Sequence, residues 1–140
     1  MTIIKTVILV FISLELAHVS MLYFAPESKI ANAVGVFTAW EKSKEYPEIH
    51  DFVKYLVNWI AGAKLIFLLL LAMIVIYADA EIQRMSLIAL AIATLSFFWR
   101  LFPLIKKMDE RGEINPKNYS TVLGVMIFIF IAVFLGAAFI

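Results

Sequence analysis

Glu15 and His18 stand three residues apart in the first apolar stretch of this chain, and Lys64 lies within the second. A carboxylate, an imidazole and an amine are the ingredients of proton-transfer chemistry: an acid or base to move the proton, and a cation to hold an anion. A spacing of three puts Glu15 and His18 on one face of a helix. The plainer role is structural, with Glu15 and Lys64 as an ion pair fixing helix packing and His18 as an interhelical hydrogen-bonding residue. Either role demands partners, because inserting Lys or Asp at the centre of a membrane helix costs about 2.5–3.5 kcal/mol.

Glu-x-x-His on a helix is also a ligand pattern of di-iron four-helix proteins, which use two such pairs and two further glutamates. Glu15-x-x-His18 has no second copy, and the other histidine, His50, precedes the second apolar stretch, so no metal or cofactor is expected. The absence of cysteine excludes disulfides, thiolate nucleophiles and cysteine zinc sites. Phosphate-binding glycine loops, dinucleotide fingerprints and nucleophile motifs are missing too. A net charge of +1 offers no surface for nucleic acid.

The elements that must position the triad follow from hydropathy. The 140 residues are 64% hydrophobic and 16% charged, with mean hydropathy +0.95, more apolar than one small water-surrounded core can hide. Four runs reach the roughly 20 residues needed to span a bilayer: about 3–25, 52–78, 82–102 and 120–140. A cleaved leader, with Lys5 as its basic region and Ala31-Asn32-Ala33 as its cleavage site, fits the first run poorly. The run is too long, and Glu15 and His18 interrupt it, so a retained helix is expected. The expected fold is a single all-α membrane domain over 1–140: four transmembrane helices in an antiparallel bundle.

The connections carry their own signals. Asp79-Ala80-Glu81 is tight enough to make the second and third helices neighbours. Between the first two spans, Ile30, Ala33, Val34, Phe37 and Trp40 recur at spacings of three and four, predicting an interfacial amphipathic helix over about 28–42. Pro47 suits a helix start, Gly112 a stop, Asn115-Pro116 another start, and Pro103 a kink or end of the third helix.

Counting ~1.5 Å per residue from the shared end, His18 lies ~10 Å deep, Lys64 ~14 Å and Glu15 ~15 Å. Asn58, Ser96 and Arg100 fall in the same half, so Glu15, His18, Asn58, Lys64, Ser96 and Arg100 form the expected ligand-binding set or polar lock. Arg100 and Lys54 are near enough to the interface to snorkel. The other half is almost wholly apolar, which fits a pocket open to one face better than a continuous pore. Apart from Lys64, nine lysines and arginines lie on the side of connections one and three and only Lys5 and Arg84 on the other, predicting these connections as cytoplasmic with both termini outside. Trp40, Trp59 and Trp99 share that side as an aromatic belt. Ala61-Gly62-Ala63 and Gly136-Ala137-Ala138 allow close helix approach, within the chain or in a homo-oligomer or membrane complex.

The size and four-helix layout resemble those of small membrane proteins of eicosanoid and glutathione metabolism. The arginine, asparagine and glutamate pattern of their second helix is absent, and layout alone transfers no function. The expected function is therefore non-enzymatic: ligand or lipid binding, assistance to transport, or membership of a membrane complex. The alternatives are a membrane enzyme on a lipophilic substrate with Glu15 and His18 as acid and base, and a proton-coupled transporter.

Overall fold

A computed structural model describes residues 2–30 and 32–140. Ala31, part of the small-residue pattern above, lies outside the described residues. The helices are α1 (Ile3–Phe24), α2 (Thr38–Ser43), α3 (Pro47–Tyr77), α4 (Ala80–Leu95), α5 (Leu101–Glu110) and α6 (Tyr119–Phe139). Short 3-10 turns occupy Val34–Val36 and Ser96–Phe98. Helices α1, α3, α4 with its 3-10 extension, and α6 are long and apolar enough to cross a membrane. Their outward faces carry residues such as Ile66, Leu69, Ile76, Ile92 and Phe128. So much contiguous exposed apolar surface is compatible with a membrane protein and unusual for a monomer in water.

Local chemistry sets the helix ends. Thr2 caps α1 by accepting the Lys5 N–H, and α1 ends just before Pro26, where the preceding residue disfavours helical backbone. Pro47 opens α3 at a position whose N–H would have no acceptor. Asp79 caps α4 through the Ile82 N–H at 2.9 Å. Gln83, only 2% exposed, reaches back to donate to the Ala78 and Val75 carbonyls left open at the end of α3. The third apolar run is broken rather than continuous to 102: helical order lapses at Trp99 and Arg100, and Pro103 falls in the first turn of α5. Gly112, at φ 71°, ends α5. There the Gly112 and Glu113 N–H groups bond back to Asp109 and Met108, a Schellman closure. The fourth span starts at Tyr119 rather than at Pro116, with Asp109 accepting both the Ser120 N–H at 2.9 Å and its hydroxyl at 2.7 Å. The Ser120 hydroxyl, then its backbone N–H, hold the Asp109 carboxyl below its usual value.

Packing divides the molecule lengthwise into two close pairs, α1 with α3 and α4 with α6. Helices α3 and α4 are joined by the expected short turn, yet they touch little. An apolar cleft of about 320 Å³ opens between Phe67, Leu71 and Ile74 on one and Ser86, Leu90 and Ala93 on the other. A tight turn fixes helix ends, and no hydrophobic force draws greasy faces together among lipid tails. One core joins all four long helices through Ile8, Phe11, Leu71, Val75, Leu87 and Phe134. Toward the opposite end the interior splits. Val19, Trp40 and Val57 fill one part, and Val36, Ile105, Ile114 and Ile127 fill the other.

The helix expected over 28–42 is absent as a continuous element. Asn32 turns left-handed at φ 59°, a 3-10 turn follows, and only α2 is α-helical. Gly35 explains the fold-back: its N–H donates to the Pro26 carbonyl at 2.8 Å, and a Cβ there would sit 1.9 Å from the Glu27 carbonyl oxygen. The apolar stripe accordingly faces protein, with Ala33 and Trp40 buried and Ile30 left out. Trp40, 4% exposed, therefore cannot serve as a belt residue, whereas Trp59 at 65% and Trp99 at 76% remain on the surface.

The first and third connections meet at one end of the molecule. Thr38 donates its N–H to the Glu113 carbonyl at 2.9 Å, and Asn115 donates to Val36 at 2.8 Å. An isolated antiparallel bridge pairs Phe37 with Ile114.

Candidate functional site

Helix α1 presents Glu15 and His18 from one face, and the adjoining α3 brings Lys64 to them. The Lys64 ammonium donates to Glu15 Oε2 at 2.5 Å and to His18 Nδ1 at 3.0 Å. The His18 imidazole stands 3.9 Å from the same carboxylate oxygen. All three side chains are partly buried. His18 Nε2 meets the Asn32 carbonyl at 3.2 Å. With Nδ1 accepting from Lys64, Nε2 must carry the proton and donate, so the network assigns a neutral imidazole between an ammonium and a carbonyl. The cluster then contains one full negative and one full positive charge, each with a partner.

The network continues through a residue outside the expected set. The Asn32 side-chain oxygen accepts from the Tyr119 hydroxyl at 2.5 Å, so a single asparagine ties the α1–α3 cluster to the first turn of α6. Its signal in the sequence was slight: asparagine tolerates left-handed backbone and here marks a turn inside an apparent helical stripe.

The other expected members do not join. Asn58 is exposed on α3, six residues from Lys64 and so on a different face. Ser96 is exposed and returns its hydroxyl to the Ala93 carbonyl at 2.6 Å. Arg100 lies over the ring of Trp99, 5.3 Å from its centre, as a cation stacked on an aromatic neighbour. The sequence placed these residues in the same half of the spans, which does not fix direction around a helix axis.

A second polar cluster was not foreseen. Ser43 donates to the Trp40 carbonyl at 2.7 Å and lies 2.8 Å from His50 Nδ1, whose ring packs 4.8 Å from that of Trp40. The Ser43 proton being used, His50 Nδ1–H is the donor. This arrangement closes α2 onto the first turn of α3.

Chemically, Glu15, His18 and Lys64 satisfy one another. They line neither the α3–α4 cleft nor a second cleft between α5 and α6. Among the described residues no group of three or more His, Asp or Glu side chains could hold a metal ion. Of the small-residue patches, Gly62 faces the Tyr23 hydroxyl within the chain, and Gly136 faces open space. Comparison with protein-family models, curated proteins and solved structures finds no match for this chain.

Proposed function

We infer that this chain is a non-catalytic, multi-pass membrane protein that works by binding lipid-like ligands or membrane partners. In this reading the spans form an antiparallel bundle, and the Glu15–Lys64–His18 cluster is a polar lock fastening α1 to α3. The observation that carries it is the mutual satisfaction of the three groups at 2.5 and 3.0 Å, which leaves no evident acid or base poised toward a substrate. Connections one and three face the cytoplasm, by their excess of lysine and arginine, and the bonds joining them support a common side. A homo-oligomer or a larger complex would use the open face at Gly136.

The lock is tested on the full chain by a double-mutant cycle. Glu15→Gln and Lys64→Met, each leaving a charge without its partner, are expected to lower unfolding stability by about 3 kcal/mol. The double variant should recover much of that loss. Single variants that unfold and assemble like the parent overturn the lock. So does proton flux into liposomes that disappears in a still-folded Glu15→Gln variant, which would establish proton transfer instead.

A further inference from the structure

The cleft between α5 and α6 is lined mainly by apolar residues, with one lysine among them. It encloses about 410 Å³ among Phe98, Phe102, Lys106, Thr121, Val125 and Phe128. Its floor is built by a close approach: Gly124 lacks the Cβ that would lie 2.6 Å from the Phe102 ring, and that ring packs against Phe98 at 5.4 Å. The cleft follows α6 from Ser120 to Phe128, about 12 Å of helix. The hydrocarbon layer of one leaflet is about 15 Å deep. Its depth thus matches a single acyl chain entering from the interface where α6 begins.

Charge selects the headgroup. Among the described residues Lys106 is the only charged side chain lining the cleft, and it stands one turn beyond Phe102, toward the connection. From Arg100 to Ser120 inclusive the chain carries five basic and three acidic side chains. Two of the acids are engaged: Asp109 holds Ser120 and Glu113 holds Arg111. Among the described residues no salt bridge involves Lys106, Lys107 or Lys117. An ammonium at the edge of an apolar slot, in a segment of net positive charge, suits a lipid phosphate.

We propose that this cleft binds an anionic phospholipid of the leaflet facing connections one and three, its phosphate on Lys106 and one acyl chain over Phe102 and Gly124. The proposal rests on the lipid-binding reading above and names its ligand class. Native mass spectrometry of the full-length protein, offered phosphatidylglycerol and phosphatidylcholine in equal amounts, provides the test. The parent should retain phosphatidylglycerol about fivefold in excess, and Lys106→Gln should erase that preference. Lys5→Gln, at the other end of the molecule, should preserve it. Val125→Trp, filling the slot, should reduce retention of both lipids. Unchanged preference in Lys106→Gln, an equal loss in Lys5→Gln, or undiminished retention in a folded Val125→Trp each overturns the site. Lys106→Gln alters an exposed side chain and decides the matter even where Val125→Trp does not fold. Loss of the site with the Glu15 and Lys64 variants behaving as expected leaves the lock intact. Failure of the lock variants alone leaves the lipid site standing.

Discussion

The two ends of this molecule are held by different physics. At the turn end, α1, α3, α4 and α6 share one apolar core, where Phe11 meets Phe134 edge-on at 5.1 Å. Polar groups there act mainly at helix termini, as Gln83 does for α3. At the other end the apolar interior is divided, and directed bonds link the pieces: Lys64 to Glu15, Asn32 to Tyr119, Thr38 to Glu113. Packing tolerates sliding between similar shapes, whereas a hydrogen bond in a water-poor setting specifies register. The bonded end therefore defines how the helix pairs are aligned, and the apolar end supplies cohesion.

The widest separation between the two ends should come from truncating their anchors. Phe134→Ala, at a side chain 1% exposed, is expected to remove about 3–5 kcal/mol and to loosen all four long helices together in hydrogen exchange. Loosening confined to α6 would mean that the shared core is not a cooperative unit. Gly35→Ala strikes the bonded end, where the added methyl meets the Glu27 carbonyl, with an expected loss of about 1–3 kcal/mol. Its exchange should rise first across residues 26–38 and 113–115, and uniform change along α4 would contradict the division. The smallest effect concerns Asp109. Its carboxyl titrates below the ordinary value of 3.8, so its stabilisation is complete above that value and disappears as the pH falls through the lower, folded one. Asp109→Ala should flatten this acid limb of the unfolding profile and leave the profile above pH ~5 parallel to the parent's. An unchanged acid limb would remove Asp109 as the cap of α6.

These differences also explain what was legible in the sequence. The existence of four long apolar helices, the helix start at Pro47 and the stop at Gly112 are written in local composition, and the structure has them. Glu15, His18 and Lys64 could be matched in depth because helical rise is regular. Asn58, Ser96 and Arg100 could be assigned to the same half, but their direction depends on how each helix is rotated, which position along the axis does not encode. The stripe from Ile30 to Trp40 misled because its spacing is helical while Gly35 at its centre is needed for a backbone contact. Asn32 and Tyr119, 87 positions apart, share no local pattern that would announce their bond.

The bridge between Phe37 and Ile114 also constrains the order of biogenesis. Between them lie the whole of α3 and the whole of α4, so the two strands of chain can meet only after both intervening helices have been threaded into place. Until residue 115 has been added, the Val36 carbonyl lacks the Asn115 N–H that it accepts, and the apolar cluster that Val36 shares with Ile114 and Ile127 is incomplete.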